Sequence, residues 1–267
     1  MAIAGGAVRL IQITDTHLFA STQGELLGVN TEGSLNGVLK QLLADGGGWD
    51  SLLLTGDLVH DGSAAGYQRL YDMVQPLGTP VYMIPGNHDN PKMLGAHFAG
   101  TFVQHHKAFS IHDWHFVLLN SHADGEVGGI LAASELEFLE QQLAANQDKH
   151  CFVVMHHPPV DVGSAWLDAI GLHNRHAFDE IVQRYENVRV VLFGHVHQEF
   201  DRMQKKLRYL GSPSTCIQFQ PGQKKFTLDR VPPAYRWICC NPDGTVDSKV
   251  RRDSDYIDQV DMRATQY

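Results

Sequence analysis

Short apolar runs recur along the chain and are bounded by Gly, Pro, Asn, Asp or Ser. Short runs that are rich in Val, Ile, Leu and Phe are typical of strands buried inside a sheet. The runs that we interpret as strands are Val8–Ile13, Ser51–Thr55, Val81–Ile84, His115–Asn120, Cys151–Met155 and Val188–Phe193.

Between some of these runs, apolar residues recur at helical spacing. The predicted helices are Thr31–Leu43, Ala64–Val74 and Ser134–Ala145. Thr31 or Ser34 is a candidate N-cap for the first helix, and Ser134 with Glu137 forms a capping-box pattern. Strands that alternate with helices predict an α/β fold.

From about Arg208 the helical periodicity is replaced by short strand-like runs separated by turns. These runs are Arg208–Leu210, Thr215–Phe219, Lys225–Asp229 and Tyr235–Cys239. We expect them to build a second sheet that packs on the first. Residues 248–267 are polar and are predicted to form a poorly ordered tail. Since no linker interrupts the rest, we expect residues 1–247 to form one domain.

Composition narrows the class of protein. The chain has 267 residues, of which 43% are hydrophobic, enough for a sizeable core. Its formal net charge is −9 and its Lys and Arg residues are dispersed, which argues against a nucleic acid polymer as partner. The N-terminus lacks the pattern of a signal peptide, and no apolar run is long enough to span a membrane.

The four cysteines do not form a CxxC pair, which favours a reduced intracellular protein. We therefore expect a cytoplasmic protein, monomeric or homodimeric, that acts on a small molecule.

Polar residues with metal-binding chemistry directly follow five of the predicted strands. They are Asp15 and His17, Asp57, Asn87 to Asp89, His156 and His157, and His195 and His197. In open α/β sheets, ligands bind at the carboxyl ends of the strands, so we expect these segments to meet at one edge. Residues two apart in an extended segment point to the same side, and glycines before three of the segments allow close backbone approach.

The residue types indicate the class of metal. Carboxylate, imidazole and amide oxygen suit Mn, Fe or Zn, and the absence of cysteine argues against a structural Cys-rich zinc site. The set is too large for one tetrahedral ion and suits two divalent ions that share a bridging carboxylate. The predicted metal ligands are Asp15, His17, Asp57, Asn87, His156, His195 and His197.

The motifs DTH, GD, GNHD, HH and GHVH, in this order, resemble the signature of the calcineurin-like metallophosphoesterases. Their spacing is similar to that of the class III cyclic nucleotide phosphodiesterases, and segments 11–20, 26–31, 164–168 and 213–219 extend the resemblance over nearly the whole chain. The resemblance implies a four-layer α/β/β/α sandwich, in which two packed mixed sheets are flanked by helices. It also implies hydrolysis of 3′,5′-cyclic AMP to 5′-AMP, with a metal-bridging hydroxide as nucleophile. The implied cofactors are two divalent ions, Fe²⁺ or Mn²⁺, with Zn²⁺ as an alternative.

The resemblance assigns a role to each residue. Asp15, His17 and His197 would hold the first ion, Asn87, His156 and His195 the second, and Asp57 would bridge both. The implied catalytic residues are His88, as the acid for the leaving oxygen, and Asp57. The implied substrate contacts are His17, Asp57, Asn87, His88 and His197.

Several alternatives stay open at this point. The same motifs serve phosphoesterases that act on other cyclic nucleotides, diesters or monoesters, whereas a non-catalytic scaffold would be expected to lose ligands. His157 either orients His156 or contacts substrate, and Asp89 either orients His88 or stabilises its turn. Candidate nucleotide contacts, each also explicable as core or loop, are Trp166, His173, Asn174, Phe219 and Trp237. We expect ordinary surface or core positions for His60, His97, His105, His106, His112, His115, His122 and His150.

Overall fold

The computed structural model describes residues 6–98, 103–104 (backbone alone), 107–257 and 259–266. The strands in this part of the chain are β1 Val8–Ile13, β2 Glu25–Leu26, β3 Val29–Asn30, β4 Ser51–Thr55, β5 Val81–Ile84, β6 Val103–Gln104, β7 Ala108–Ile111, β8 Trp114–Leu118, β9 His150–Val154, β10 Val188–Phe193, β11 Phe200–Gln204, β12 Leu207–Gly211, β13 Gln218–Phe219, β14 Leu228–Asp229, β15 Ala234–Cys240 and β16 Val246–Arg252. The α-helices are α1 Thr31–Ala44, α2 Ala64–Val74, α3 Pro91–His97, α4 Ala133–Ala145, α5 Ala165–Asp168 and α6 Arg175–Arg184.

Two six-stranded mixed sheets form the centre of the fold, in the orders β16-β15-β1-β4-β5-β6 and β11-β12-β10-β9-β8-β7. Strands β1, β4, β5 and β6 are parallel, as are β12, β10, β9 and β8. Antiparallel strands complete the edges: β15 and β16 in the first sheet, β7 and β11 in the second.

The sheets pack face to face and helices cover both outer faces, which confirms the predicted α/β/β/α sandwich. Leu10 and Leu53 of the first sheet share one core cluster with Phe152 and Leu192 of the second. Neighbouring residues such as Ile11 point to the other face and pack against α1 and α2. Because both faces of these strands are largely buried, the strands are mostly apolar in sequence.

The helix caps differ from the predicted ones. Asn30 caps α1, and its side chain accepts a hydrogen bond from the Gly33 amide at 2.7 Å. Ser34 instead donates its hydroxyl to the carbonyl of Thr215 at 2.7 Å, which ties α1 to a distant loop. Helix α4 begins after Ala132 without a side-chain cap, so the capping box predicted at Ser134 is wrong.

The late strands do not build the second sheet by themselves. Strand β12 pairs with β10 in the second sheet, whereas β15 pairs with β1 in the first. Strands β13 and β14 form a separate two-stranded ribbon. The centre of the second sheet instead consists of β8, β9 and β10, so the late segments add to the edges of both sheets.

The polar C-terminal segment is partly structured, which corrects the predicted tail. Strand β16 pairs with β15 along its whole length, so residues 248–252 form an edge strand. Its residues alternate between more and less exposed positions, which explains their polar composition. Beyond β16, the amide of Asp261 donates to the carbonyl of Leu27 at 2.8 Å. The limit of the domain near residue 247 stays a prediction.

All four cysteines are buried and carry free thiols. Among the described residues, every helix is too short or too polar to cross a membrane.

Candidate metal centre

The five polar segments meet where the carboxyl ends of β1, β4, β5, β9 and β10 lie together. The first three strands belong to one sheet and the other two to the second, so both sheets contribute to the site. The structure brings the seven predicted ligands together here. Asp15, His17, Asp57, His156 and His197 are completely buried.

One group of ligands consists of Asp15, His17 and His197, whose ligand atoms all lie within 4.8 Å of one another. The Nε2 atom of His197 is 3.3 Å from Nε2 of His17 and 3.3 Å from the Asp15 carboxylate. The other ring nitrogen of His197 is 2.9 Å from the Ile217 carbonyl, and the ring stacks on Phe219 at a centroid distance of 4.2 Å. These contacts direct Nε2 of His197 towards its two partners.

The second group is built around Asp57. Its Oδ2 atom is 3.4 Å from Nε2 of His156 and 3.9 Å from Nε2 of His17, so this oxygen lies between the two groups. The Asn87 side-chain oxygen is 3.1 Å from Nδ1 of His195. Nδ1 of His156 is 2.8 Å from the Thr55 carbonyl, which leaves Nε2 for a ligand.

Unpartnered buried atoms test whether these residues fit a metal. Asp57 Oδ2, His156 Nε2 and His195 Nε2 are buried and have no hydrogen-bond partner. A buried polar atom without a partner costs about 1–3 kcal/mol, and three in one cluster require an explanation. Carboxylate and imidazole atoms in this arrangement are suitable ligands for divalent cations, so the residues fit the predicted metals.

Burial and neighbouring charges shift the pKa values of the predicted ligands. Burial alone would lower the pKa of His156, but the carboxylates of Asp57 and Asp15 raise it to about 9. Burial raises the pKa of Asp57, yet the neighbouring histidines, His156 foremost, hold it well below its usual value. Burial lowers the pKa of His195 to about 3. Asp57 is therefore ionised and His195 neutral, the forms in which each can bind a metal, whereas His156 would have to release its proton to a bound cation.

The backbone of the site is unusual. Asp15, His17, Asp57, His195 and His197 have φ values of 54°, 45°, 51°, 65° and 46°. Only a few per cent of residues other than glycine adopt the left-handed region, which costs roughly 1–2 kcal/mol per residue. Such conformations collect at functional sites, where the surrounding structure holds them.

Two glycines make room for the ligands. Gly56 has a φ of 97°, and a Cβ atom there would overlap the His156 ring. A Cβ atom on Gly86 would overlap the carboxylate and amide of Asp57. Both positions therefore need a residue without a side chain, as the sequence predicted for the residues before Asp57 and Asn87.

The model of the calcineurin-like phosphoesterase family matches residues 8–199, a span that contains all seven predicted ligands. The chain belongs to this family.

Two relatives and one solved structure are similar to this chain over most of its length. The chain is 37% identical over 261 residues to the 3′,5′-cyclic adenosine monophosphate phosphodiesterase CpdA of Pseudomonas aeruginosa, covering 98% of this chain and 96% of that protein. It is 37% identical over 269 residues to the protein of the same name from Escherichia coli K12, covering 100% and 98%. A dimetal phosphatase from Danio rerio superposes with a TM-score of 0.66 at 13% identity, covering 92% of this chain and 99% of that one. The last likeness shows the fold alone.

In this calcineurin-like phosphoesterase, the hydrogen bonds of Asp89 support the turn-stabilising role over orientation of His88. Its carboxylate accepts hydrogen bonds from the amides of Leu58 and Val59 at 3.1 Å and of Gly86 at 2.9 Å. The Tyr67 hydroxyl donates to it at 3.0 Å. Asp89 therefore joins the loop that carries Asp57 to the loop that carries Asn87. Burial and the nearby Asp57 charge raise the pKa of Asp89 to about 6.

His157 lies beside His156 and His195, and its own ring is held by other residues. Its Nδ1 is 2.8 Å from the Ser121 hydroxyl and its Nε2 is 3.1 Å from the Val127 carbonyl, so both ring nitrogens have protein partners. The ring lies close enough to His156 and His195 to complete a possible metal site. We leave it out of the ligand set because both of its nitrogens contact Ser121 and Val127, which lie outside that set.

The aromatic candidates for nucleotide contact are mostly structural. Phe219 is buried and stacks on His197. Trp166 packs edge-on against Phe219, with a distance of 4.9 Å between the ring centroids. Trp237 packs against the core between the first sheet and its helices. The Asn174 side chain hydrogen-bonds both ways with the backbone of Leu131.

Two histidines expected to be ordinary contact the site. His60 Nδ1 is 3.1 Å from Nδ1 of His17, and its ring stacks on His88 at 4.5 Å. His122 Nδ1 is 2.8 Å from the carbonyl of Gly86. No sequence motif marks either position. His115 is an ordinary buried residue bonded to Ser110 and Gln142, whereas His105 and His106 lie outside the described residues.

Proposed function

We propose that this chain hydrolyses 3′,5′-cyclic AMP to 5′-AMP at two divalent metal ions. The cluster of buried, unpartnered ligand atoms on Asp57, His156 and His195 carries the metal centre. The substrate is suggested by relatives named as 3′,5′-cyclic AMP phosphodiesterases, which match along nearly the whole chain.

Asp15, His17 and His197 would hold the first ion, and Asn87, His156 and His195 would hold the second. Asp57 would be shared by both ions, because its Oδ2 lies 3.4 Å from a nitrogen of one group and 3.9 Å from a nitrogen of the other. Fe²⁺ or Mn²⁺ suits these ligands, with Zn²⁺ as the alternative.

When bound, two such ions would supply Lewis-acid chemistry, namely activation of a water as nucleophile and neutralisation of charge on the phosphoryl oxygens. Asp57 stays ionised beside His156 and so keeps its carboxylate available to both groups. The positive charge of the two bound ions would explain how a chain of net charge −9 attracts an anionic diester.

His88 is the residue of this set that acts on the leaving group. Its amide donates to Oδ1 of Asp57 at 2.9 Å, which fixes its backbone beside the bridging ligand. Its ring is only partly buried and lies edge-on to His17 at 5.0 Å. From there it donates a proton to, or stabilises, the departing 3′-oxygen, an effect that typically contributes about 10²–10⁴-fold. The further proposed contacts to the phosphodiester are His17, Asp57, Asn87 and His197.

A substrate panel on protein of defined metal content tests the proposed activity. Turnover of 3′,5′-cyclic AMP, 3′,5′-cyclic GMP, 2′,3′-cyclic AMP and p-nitrophenyl phosphate esters is compared with Mn²⁺ or Fe²⁺ loaded. We expect 3′,5′-cyclic AMP to be the preferred substrate and 5′-AMP the product. Absence of cyclic AMP hydrolysis with either metal would reject cyclic AMP as the substrate. Turnover of another ester alone would replace cyclic AMP by that ester as the proposed substrate.

Two variants separate metal binding from proton donation. Asp57→Ala removes the bridge, so we expect loss of bound metal and of nearly all activity. His88→Ala keeps every metal ligand, so we expect wild-type metal content with turnover reduced by about 10²–10⁴-fold. Metal analysis and kinetics of both variants decide the roles, and a fully active His88→Ala would contradict the role of His88.

A further inference from the structure

His60 lies beside the metal centre although it belongs to none of the five motifs. Its amide donates to the carbonyl of Leu18 at 2.8 Å, and Leu18 forms a parallel bridge with Val59. The segment after β4 therefore runs alongside the segment after β1, which carries His17. This pairing brings His60 to the outer side of the His17 ring.

The contact between the two rings determines how His17 holds its proton. Nε2 of His17 faces the other ligands, 3.3 Å from Nε2 of His197 and 3.9 Å from Asp57 Oδ2. A neutral imidazole that offers Nε2 to a cation carries its proton on Nδ1. Nδ1 of His60, at 3.1 Å, lies within hydrogen-bond distance to accept that proton.

The His60 ring is itself held in place on both sides. It stacks on His88 with a centroid distance of 4.5 Å and an interplanar angle of 21°. Phe19 contacts it at 4.9 Å. An acceptor that is fixed in this way can orient its partner, because the hydrogen bond then restricts rotation of the His17 ring.

A third metal ion is the competing interpretation, since atoms of His17, His60 and His88 lie within 4.8 Å of one another. It would require His17 to bind an ion through each of its nitrogens, and therefore to lose the one N–H proton that a neutral ring carries. The 3.1 Å separation of the two Nδ1 atoms is that of a direct hydrogen bond, which needs no such loss.

We propose that His60 is a positioning residue that accepts the Nδ1 proton of His17 and so directs Nε2 of His17 to the first metal. This inference rests on the metal centre proposed above. Partners of metal-bound histidines typically change metal affinity or activity by 10–100-fold when they are removed.

The test compares two substitutions of His60, one that keeps the aromatic ring and one that keeps a hydrogen-bond acceptor. His60→Phe keeps an aromatic ring for His88 and Phe19 but removes the acceptor. His60→Gln loses the ring but keeps an acceptor oxygen within reach of His17. His176→Phe, at an exposed position on α6, makes the same chemical change away from the site and serves as the control. Calorimetric titration of the metal-free proteins with Mn²⁺ gives the number and affinity of the sites.

We expect two Mn²⁺ ions per chain in the wild type. His60→Phe should weaken one site by about 10–100-fold, and His60→Gln should recover most of that loss. Thermal unfolding of the metal-free proteins, followed by circular dichroism, shows whether each variant is folded before titration.

Other results overturn the inference in distinct ways. Wild-type affinity in His60→Phe would show that the acceptor does not matter. Equal weakening in both variants would assign the effect to packing instead of to the hydrogen bond. A third Mn²⁺ ion that disappears in both variants would establish a metal site in place of a positioning residue. No Mn²⁺ binding by the wild type would reject the metal centre, and this inference with it.

Discussion

Replacing Asp89 by alanine tests how the site is held together. The carboxylate joins the loops after β4 and β5 through hydrogen bonds from the amides of Leu58, Val59 and Gly86. It also accepts from the hydroxyl of Tyr67. All of these groups are buried, so Asp89→Ala leaves three backbone donors without a partner.

The structure sets the size of the expected effect. An unsatisfied buried donor costs about 1–3 kcal/mol, so three of them give an upper range of about 3–9 kcal/mol. Water that enters the vacated space satisfies some of the donors, so we expect a loss of about 3–5 kcal/mol in the free energy of unfolding. Asp89→Asn keeps one acceptor oxygen and should fall between this variant and the wild type.

Urea unfolding followed by circular dichroism measures the change, with a chelator present so that metal binding does not contribute. Asp61→Ala is the matched control, because this exposed carboxylate also accepts two backbone hydrogen bonds, from Ala20 and Ser63. Water replaces those bonds readily, so we expect a change below about 1 kcal/mol. The reasoning fails if Asp89→Ala unfolds at the wild-type urea concentration with an unchanged slope.

Three further predictions concern the metal centre. Gly86→Ala places a methyl group against the Asp57 carboxylate, so metal content measured by atomic absorption should fall; full occupancy would refute the close approach. Phe219→Ala removes the ring that stacks on His197, so the Mn²⁺ affinity of one site should decrease while the other is retained, as calorimetry would show. Chelation should lower the melting temperature and added Mn²⁺ should restore it, since a ligand at about 1,000 times its Kd stabilises by about 4.1 kcal/mol; an unchanged melting temperature would contradict metal binding to the folded state.

The sequence alone was sufficient to predict the bounds of four of the strands that carry the site. The apolar runs matched β1, β4, β5 and β10 because strands that are largely buried on both faces need apolar residues at most positions. Parallel neighbours place their carboxyl ends together, so polar residues after strands of one sheet converge, whereas the packing of the two sheets brings both sets to one site. The ligand types then restricted the chemistry, because carboxylate, imidazole and amide oxygen together suit few metals.

Tertiary structure decided everything that depended on partners distant in the chain. The pattern of β15 predicts a strand, but only its pairing with β1 places it in the first sheet. Asp89 looked equally suited to two roles until its donors, about thirty positions earlier, were seen. His60 carries no motif, and it reaches His17 across 43 positions because two loops lie side by side. Local periodicity reports which face of an element is buried, whereas a hydrogen bond between distant residues exists only once the chain has folded.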